Sequence, residues 1–421
     1  MSASPFSEFA QSLTEESAFT VLALAKQLQA GGKDIVELEI GDSPFDTPKT
    51  AKAAGLQAIA DNVSHYCPSL GLPEFRAAAA TMVRDEFQIP ATAENIATGP
   101  GAKVFEQFFC EAFLNPGDGV LLFSPHFPTY PPNIARRGAR MVVRPLKQEH
   151  AFRPQLSDIA DFLQQDPAPR AIFLNSPHNP TGGVTTEADC RAIRDLIIDT
   201  DVMVFSDEPY CHMAWQSPHF SIASLPGMLD RCVAAYTFSK SYSMSGWRLG
   251  FGVSSPEIVR MMGLMLNTSV SCTPPMVQLA GTAALQHDSA ERNEAMSRFH
   301  RKVDLLTERL NAIEGVRALE PAGTFYVFPD VSELCRRLQI TSHGLALYLL
   351  QGADDHFGVA CLGGECFGDA GAGHIRFSCA EPDDRLEQAM DFFATAITRS
   401  DRLSAFLADF PQYRRSSSDS A

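Results

Sequence analysis

Short apolar runs alternate with longer segments of mixed polarity through the middle of the chain. The apolar runs lie at residues 120–123, 141–143, 171–174, 202–205 and 233–236. Each run has the length of a buried strand, and a segment of helical length separates it from the next. This alternation is typical of a parallel sheet covered by helices on both faces. The pattern therefore predicts an α/β fold in which a mostly parallel sheet forms the larger part.

The pattern changes near residue 290. Residues 291–313 predict one long amphipathic helix, because apolar residues recur along one side of it. After it, predicted strands alternate with predicted helices, in the order 324–328 (strand), 342–351 (helix), 375–378 (strand) and 384–397 (helix). Strands and helices mixed in this way predict a smaller α+β domain.

The length of the chain also favours two domains, since 421 residues exceed what one compact core usually holds. We place the large domain, which contains the predicted parallel sheet, at residues 46–290. The small domain combines residues 1–45 with 291–413. Residues 414–421 are basic and serine-rich, which predicts a disordered tail.

Charge and cysteine content narrow the class of protein. The formal net charge of -16 argues against nucleic acid and acidic membranes as partners, because both bind clustered Lys and Arg. The ten cysteines include no CxxC pair, so we interpret them as reduced core residues and expect no metal site. No apolar run approaches the roughly 18 residues that span a bilayer, and the start of the chain shows no basic signal sequence. We expect a cytoplasmic protein.

Lys240 lies just past the apolar run 233–236, in a serine-rich loop. Ammonium groups are seldom buried without a partner. A lysine in a partly dry pocket near other positive charge is a usable amine nucleophile for a carbonyl. Arg248 supplies such a charge, and its planar guanidinium suits a phosphate. An aldehyde that carries a phosphate is pyridoxal phosphate (PLP). A solvated lysine in a flexible loop is the alternative.

The segment Gly101, Ala102 and Lys103 precedes an apolar helix. Small residues at the start of a helix expose backbone N–H groups to an anion, and the helix dipole favours negative charge there. The segment is therefore a candidate phosphate site. A plain turn is the alternative.

Two polar residues follow the apolar run 202–205. Asp207 could pair with a protonated pyridine nitrogen and so keep the ring an electron sink, although a helix cap would use the same residue type. Tyr210 could reach the phenolic oxygen of the ring. We assign no role to the neighbouring Glu208.

Three further residues are candidates for ligand contacts. Asn179 follows the run 171–174 and could donate to a ring oxygen and to a substrate carboxylate, unless its loop is only a turn. Phe127 could stack on a flat ring, or belong to the core. Arg376 lies inside an apolar strand, where either a buried salt bridge or a bidentate substrate carboxylate would satisfy it.

Together these motifs resemble the class I/II aminotransferases, which are PLP enzymes of fold type I. The resemblance spans roughly residues 35–378, with the motifs in the order of the family. It implies cofactor contacts from Tyr66, Gly101, Ala102, Lys103, Phe127, Asn179, Asp207, Tyr210, Thr237, Ser239, Lys240 and Arg248. It implies substrate contacts from Gly41, Lys103, Asn179 and Arg376.

The sequence departs from the family pattern at two positions. Thr237 stands where Gly or Ser is usual, and keeps the hydroxyl of serine. Gly363 stands where a proline is common, which changes the expected shape of the loop 363–368.

The resemblance also implies a reaction and partners. Lys240 would hold the cofactor covalently, take the α-proton of an amino acid and return it to the cofactor. Asp207 would keep the pyridine nitrogen protonated, and a 2-oxo acid would take up the amino group. Tyr66 resembles a tyrosine that reaches the phosphate of a neighbouring subunit, which implies a homodimer with shared sites.

Lys103 bears on the choice of amino donor. It resembles the lysine that, in one bacterial subgroup of aspartate aminotransferases, meets the distal carboxylate of the substrate. This favours aspartate or another acidic donor, with 2-oxoglutarate as acceptor. If Lys103 is solvated instead, an aromatic amino acid, alanine or another donor fits.

Two other functions remain open at this point. The motifs also fit a PLP-dependent lyase of the same fold, such as a C–S β-lyase or an enzyme like aminocyclopropane-carboxylate synthase. A non-catalytic regulator built on this fold would need a DNA-binding extension, and the acidic N-terminal segment offers none.

Overall fold

The computed structural model describes residues 5–13 and 16–415. Its strands are β1 (Asp34–Glu37), β2 (Ile96–Gly99), β3 (Gly119–Ser124), β4 (Arg140–Pro145), β5 (Pro169–Asn175), β6 (Met203–Asp207), β7 (Cys232–Thr237), β8 (Gly250–Val253), β9 (Tyr326–Val327), β10 (Phe357–Ala360), β11 (Leu362–Gly363) and β12 (Ile375–Ser378). Its α-helices are α1 (Glu8–Ser12), α2 (Ser17–Ala30), α3 (Lys49–Ala60), α4 (Pro73–Phe87), α5 (Lys103–Phe113), α6 (Tyr130–Ala135), α7 (Leu156–Gln165), α8 (Glu187–Ile197), α9 (Pro256–Ser269), α10 (Pro275–His287), α11 (Ser289–Asn311), α12 (Ser332–Leu338), α13 (Ser342–Leu347), α14 (Asp383–Ala396) and α15 (Ser400–Asp409).

A seven-stranded sheet in the order β2-β8-β7-β6-β5-β3-β4 forms the centre of the molecule. Strands β7, β6, β5, β3 and β4 pair in parallel, and β8 runs antiparallel to both of its neighbours. The prediction of a mostly parallel α/β sheet is therefore confirmed. The sequence pattern missed β8 because two of its four residues, Gly250 and Gly252, lack apolar side chains. A Cβ on Gly252 would lie 2.9 Å from the ring of Phe105, so close packing requires glycine there.

The apolar runs form strands because both faces of the central sheet are covered. In β3, Leu121 and Phe123 belong to one apolar cluster, and Val120 and Leu122 belong to a second cluster on the opposite face. Burial of such a side chain contributes about 1.5–3 kcal/mol. A strand buried on both faces has no polar positions to alternate with, which explains the continuous apolar runs.

Two small sheets lie apart from the central one. Strand β1 pairs in parallel with β10, so the N-terminal segment joins the C-terminal part of the chain. Strands β11, β12 and β9 form an antiparallel sheet. The predicted strand 324–328 is wrong in length, since only Tyr326 and Val327 pair. Thr324 has a φ of 67° and Pro329 follows the segment, and neither conformation continues a strand.

Two further boundaries differ from the predictions. The predicted helix 342–351 ends as an α-helix at Leu347 and continues as one π-turn over Tyr348–Gly352. The predicted tail begins too early, because Arg414 bridges Ile340 and the backbone N–H of Arg415 donates to the Gln339 carbonyl at 3.1 Å. Residues 416–421 of the predicted tail lie outside the described residues. The division into two domains stays a prediction.

Within the described residues, no helix is both long and apolar enough to cross a membrane. The same part of the chain contains no group of three or more His, Cys, Asp or Glu side chains placed to hold a metal ion.

Strands β5, β6 and β7 end at one edge of the central sheet. Asn175 and Asp207 are paired across β5 and β6 at this edge, and Thr237 ends β7 beside them. In sheets of this kind, ligands bind beyond the carboxyl ends of the strands. This edge faces Arg376 on β12, and the two together define the candidate site.

Candidate active site

A cavity of about 570 Å³ lies between the edge of the central sheet and the small antiparallel sheet. Its lining includes every predicted site residue except Gly101 and Tyr66, namely Gly41, Ala102, Lys103, Phe127, Asn179, Asp207, Tyr210, Thr237, Ser239, Lys240, Arg248 and Arg376. Residues far apart in the sequence thus meet at one place.

Lys240 lies in the turn after β7 and is half-buried. Its Nζ donates to the carbonyl of Gly41 at 2.5 Å and lies 5.9 Å from the ring centres of both Tyr210 and Phe325. In the described part of the chain it forms no ion pair. A carbonyl and ring faces hold the amine in the cavity without a carboxylate that would fix its charge, so the amine is placed to act as a nucleophile.

Asp207 is the last residue of β6 and lines the cavity. Its Oδ2 accepts a hydrogen bond from the hydroxyl of Tyr130 at 2.6 Å. Burial raises the pKa of Asp207 to about 6, and the neighbouring Glu208 adds to the rise, while Tyr130, Lys103 and Lys240 oppose it. A cation against this carboxyl would offset the cost of burial and favour the charged form.

Two residues that support this carboxylate were missed by sequence reasoning. One is Tyr130, which begins α6. The other is Asn175, whose Nδ2 donates to the backbone carbonyl of Asp207 at 2.8 Å and whose Oδ1 accepts the N–H of Asn179 at 2.9 Å. Asn175 stands at a strand end, as Asp207 does, and this position was the available signal. Tyr130 gave none, because its partner is 77 residues away.

An anion cradle lies at the start of α5. Gly101 has a φ of 90°, and a Cβ there would lie 2.4 Å from Nη2 of Arg248, so only glycine fits. Arg248 itself is held by hydrogen bonds to the carbonyls of Ser245 at 2.9 Å and Pro100 at 3.1 Å. The hydroxyls of Thr237 and Ser239 are 2.9 Å apart in the adjoining turn. A guanidinium, hydroxyls and a helix N-terminus are the donors that bind a phosphate.

Arg376 lies at the opposite end of the cavity and is only 4% exposed. One Nη donates to Oδ1 of Asn179 at 2.9 Å, the other donates to the carbonyl of Glu39, and Nε has no hydrogen-bond partner. Its guanidinium lies 4.3 Å from the ring centre of Tyr326. Among the described residues it forms no salt bridge. A buried guanidinium without a carboxylate partner favours the second of the two predicted uses, which is binding of a substrate carboxylate.

Glu39 contributes negative charge near this guanidinium. Its side chain is fully buried and neither carboxyl oxygen has a hydrogen-bond partner. Burial raises the pKa of Glu39 to about 7, and Arg376 opposes the rise. Sequence reasoning missed this residue, since a single Glu in a short strand pattern carries no signal.

Tyr210 and Tyr326 share a hydrogen bond between their hydroxyls, with the oxygens 3.1 Å apart. The hydroxyl of Tyr326 leaves no room for a side chain at position 41, because a Cβ on Gly41 would lie 1.7 Å from it. Gly41 therefore brings its backbone carbonyl close to Lys240. The predicted contact of Tyr210 with a cofactor oxygen stays a prediction.

Lys103 is paired with an acidic residue. Its Nζ lies 2.8 Å from a carboxyl oxygen of Glu16, which precedes α2, and 5.1 Å from the ring centre of Phe127. The lysine is thus not simply solvated. Glu16 was not among the predicted residues because the N-terminal segment shows only a polar start. Tyr66 lies outside the cavity and is 89% exposed.

Close packing explains Gly363, in the loop 363–368 that departs from the family pattern. A Cβ on Gly363 would lie 2.3 Å from the Cα of His343, at the start of α13. A proline would need the same space. The first turn of α13 therefore occupies the space that a proline ring would need. The loop still places the ring centre of Phe367 4.9 Å from the guanidinium of Arg376.

The residues of the cavity fit a phosphorylated aldehyde on an aromatic nitrogen ring. An amine at Lys240, a buried carboxyl at Asp207 and the anion cradle of Gly101 and Arg248 stand in the arrangement that such a cofactor requires. Phe127 lies in the wall and offers an apolar ring. The site is that of a PLP enzyme with an α/β fold.

Comparisons with known proteins support the same class of enzyme. The profile of the family described as "Aminotransferase class I and II" matches residues 33–393. An aspartate aminotransferase of Pyrococcus abyssi is 33% identical over 368 residues, which are 86% of this chain and 92% of that protein. An aromatic-amino-acid aminotransferase of Thermococcus litoralis is 32% identical over 370 residues, which are 86% of this chain and 92% of that protein. The structure of Thermus thermophilus aspartate aminotransferase with maleate has a TM-score of 0.86 and 29% identity, and covers 94% of this chain and 100% of that one.

The chain therefore belongs to the class I and II aminotransferases. It is a PLP-dependent enzyme that transfers an amino group from an amino acid to a 2-oxo acid.

Proposed function

We propose that Lys240, Asp207 and Arg376 carry transamination in this chain. The observation that supports this is the meeting of their amine, buried carboxyl and unpaired guanidinium in one cavity. PLP, when bound, supplies an electron sink for the electrons of the substrate α-carbon.

The geometry suggests a role for each side chain. Arg376 and Asn179 bind the α-carboxylate and so fix the orientation of the substrate. The Nζ of Lys240 takes the proton from the α-carbon and returns it on the cofactor side, as general base and then general acid. The carboxylate of Asp207 holds a proton on the pyridine nitrogen, with Tyr130 fixing its position.

The test is a half-reaction with an amino acid alone. Purified enzyme mixed with a donor and no 2-oxo acid should change its cofactor absorbance once per active site and release a 2-oxo acid. Addition of 2-oxoglutarate should then restore the original absorbance. Release of pyruvate and ammonia through many turnovers without an acceptor would contradict transamination in this site and favour a lyase.

We further propose that a dicarboxylic substrate binds with its distal carboxylate on Lys103. Because Glu16 now neutralises Lys103, such a substrate must displace the Glu16 carboxylate. Two comparisons support the proposal. The Pyrococcus abyssi relative is named for aspartate, and the Thermus thermophilus structure contains maleate, a dicarboxylate.

Two variants test this substrate class. Lys103→Met should raise the KM for aspartate and 2-oxoglutarate about ten-fold, because a charge-assisted hydrogen bond is lost. Glu16→Gln should lower the same KM values, since no carboxylate competes for the lysine. Neutral donors are the internal control and should change little in either variant. If aspartate and glutamate are no better than neutral donors in the wild-type enzyme, the assignment fails.

A second candidate is a neutral aromatic donor. Ala18, Phe19 and Ile40 line the cavity together with the Glu16–Lys103 pair. With the pair intact, these residues offer apolar surface and Lys103 is neutralised, which suits an aromatic side chain. In that case phenylalanine or tyrosine would be the best donor, and neither variant would change its KM.

We also propose a homodimer with shared active sites. Support comes from the exposure of Tyr66 and of two apolar residues on α3, Leu56 at 68% and Ile59 at 61%. Exposed apolar patches mark association surfaces. A cytoplasmic location stays a prediction from the sequence.

Subunit mixing tests the shared sites. In a hybrid of a Lys240→Ala subunit and a Tyr66→Ala subunit, one of the two sites would contain both native residues. Random re-association should therefore recover about a quarter of wild-type activity from two impaired parents. A monomer by sedimentation, or no recovery on mixing, would contradict the proposal.

A further inference from the structure

Glu106 is a buried acidic residue in the first turn of α5, and none of the assigned roles uses it. It is only 2% exposed. Its Oε2 accepts a hydrogen bond from Oγ1 of Thr129 at 2.8 Å, and its Oε1 accepts one from Nδ2 of Asn133 at 2.6 Å. Both donors belong to α6 and the residue before it. Glu106 therefore ties the segment 127–133 to the helix that carries the anion cradle.

This segment carries two of the groups that face the cofactor site. Tyr130 lies between the two donors, and its hydroxyl bonds Asp207 at 2.6 Å. The ring centre of Phe127 lies 5.8 Å from that of Tyr130. Both residues therefore depend on where the segment lies relative to α5.

The segment has little means of holding itself. Helix α6 has six residues, and Pro131 and Pro132 in its first turn cannot donate backbone hydrogen bonds. Helices of this length are not stable alone. The local hydrogen bonds within the segment are long: Asn133 donates to the Thr129 carbonyl from Nδ2 at 3.2 Å and from its backbone N–H at 3.3 Å, and the N–H of Tyr130 donates to the Phe127 carbonyl at 3.2 Å. The Glu106 carboxyl is the group that links this turn to another element on both sides of Tyr130.

A carboxyl at this position is costly. Burial raises the pKa of Glu106 to about 7, and the nearby charge of Asp207 adds to the rise. Within the described residues Glu106 has no salt bridge. An apolar side chain would fill the same space without the desolvation penalty. Glu106 also lines the cavity, but Thr129 and Asn133 engage both of its carboxyl oxygens, so the carboxyl is explained by what it holds.

We propose that Glu106 is a positioning residue, whose carboxyl fixes the segment 127–133 so that Tyr130 orients Asp207 and Phe127 faces the cofactor ring. The inference rests on the proposed roles of Asp207 and Phe127. It assigns to Glu106 no contact with the substrate.

The main test is the affinity of the apoenzyme for PLP in a Glu106→Gln variant. The amide oxygen can accept the hydrogen bond from Nδ2 of Asn133, and the amide NH₂ can donate to the Thr129 hydroxyl, but neither bond keeps the charge of the carboxylate. Loss of this charge assistance should raise the Kd for PLP about three- to ten-fold, measured by absorbance or fluorescence titration. Glu111→Gln is the matched control, since Glu111 lies on the same helix and, among the described residues, its side chain bonds only Gln107 and Arg136. Its Kd should equal that of the wild type.

A mutant cycle separates positioning from general loss of stability. If Glu106 acts through Tyr130 and Phe127, then Glu106→Gln should change the Kd less than about two-fold in a background that carries both Tyr130→Phe and Phe127→Leu. A full effect of Glu106→Gln in that background would overturn the proposal, because it would show that Glu106 acts by another route.

Thr129→Val provides a second variant that leaves the carboxyl in place and removes one donor. It should raise the Kd for PLP in the same direction as Glu106→Gln, and it decides the question alone if Glu106→Gln does not fold. Unchanged affinity in the folded variants would overturn the role of Glu106. A wild-type apoenzyme that does not bind PLP would instead refute the proposed function.

Discussion

Asp207 and Glu208 are consecutive carboxylates at the end of β6, and their surroundings differ sharply. Glu208 is 1% exposed and accepts four hydrogen bonds, from Ser206 at 2.7 Å, Ser221 at 2.7 Å, Tyr236 at 2.5 Å and His219 at 2.8 Å. Asp207 accepts one side-chain hydrogen bond among the described residues, from Tyr130, and otherwise faces the cavity.

The difference separates a structural carboxyl from a functional one. A carboxylate can accept about four hydrogen bonds. Glu208 uses that capacity within the protein, so it stabilises the interior and has nothing left to offer a ligand. Asp207 keeps most of its capacity unused, and its pKa is raised because Tyr130, Lys103 and Lys240 only partly offset the effect of burial. Residue type alone did not distinguish the two, because adjacent residues of an extended strand point in opposite directions.

The largest effect is expected from removal of the Lys240 amine, which lines the same cavity as Asp207. Lys240→Ala should remove the covalent link to the cofactor and lower kcat by at least about 10⁴-fold, since the nucleophile and the proton carrier are one group. Borohydride reduction followed by peptide mass analysis should find the cofactor on Lys240 in the wild type. A cofactor adduct on another lysine, or full activity in the variant, would contradict the assignment of Lys240 as the residue that binds the cofactor covalently.

Substitution of the two carboxyls should give opposite results. Asp207→Asn should lower kcat by about 10²-fold or more, because the pyridine nitrogen loses its anionic partner, and should leave the cofactor-free fold stable. Glu208→Gln should reduce the free energy of unfolding by about 2–4 kcal/mol, since four buried hydrogen bonds lose the charge of the carboxylate and some of the hydroxyl donors must turn to accept from the amide. The activity per folded molecule should stay near the wild-type value.

Both quantities must be measured on both variants, kcat by steady-state kinetics and stability by denaturant titration. If Glu208→Gln loses activity in proportion to Asp207→Asn while remaining stable, the distinction between the two carboxyls is wrong.

The pH dependence of stability gives a smaller effect with a definite sign. The pKa of Asp207 in the fold, about 6, exceeds its ordinary value of 3.8. The folded state therefore binds this proton more tightly, so the contribution to stability is complete at low pH and is lost as the pH rises through about 6. Asp207→Asn removes this loss. The cofactor-free variant should gain about 2–3 kcal/mol over the wild type between about pH 4 and pH 7.

Thermal unfolding of both apoproteins across this range provides the measurement. Glu39 is present in both proteins and cancels in the difference. Glu106 does not cancel completely, because the charge of Asp207 contributes to its raised pKa, so the Glu106→Gln background provides the cleaner comparison. A difference that does not change with pH would show that the Asp207 pKa is not raised.

Much of the architecture could be predicted because it follows from local patterns. Apolar runs gave the parallel strands, since burial on both faces leaves only apolar positions. Lys240 and Arg376 were singled out because charges are costly in apolar surroundings. The structure places them on one cavity, and their roles stay predictions.

The missed features depend on contacts between distant segments. The β1–β10 pairing joins Ile35 to Gly358, and Glu16 meets Lys103 from 87 residues away. The local sequence around Ile35 and around Glu16 contains no pattern that indicates these distant partners. Strand β8 was missed for a different reason. Its glycines make room for neighbouring side chains, and they add no apolar side chains that a sequence pattern would detect.

Two tyrosines allow the finest comparison of the neighbouring carboxyls. Tyr130 donates to Asp207 at 2.6 Å and Tyr236 donates to Glu208 at 2.5 Å, and both are almost fully buried. Replacement by phenylalanine removes the same hydroxyl in each case.

Tyr130→Phe should lower kcat or cofactor affinity about three- to ten-fold, because it frees the orientation of a carboxyl that acts on the ring. Tyr236→Phe should lower the free energy of unfolding by about 1–2 kcal/mol and leave kcat within about two-fold, because Glu208 retains three donors and acts on no ligand. Stability and kcat, measured on the same samples, decide the outcome. If the Tyr236 variant loses more turnover than the Tyr130 variant, then the interior network reaches the reacting atoms. The two carboxyls would then form one functional unit, and a carboxyl with few hydrogen bonds from the protein would no longer mark the ligand side of this strand.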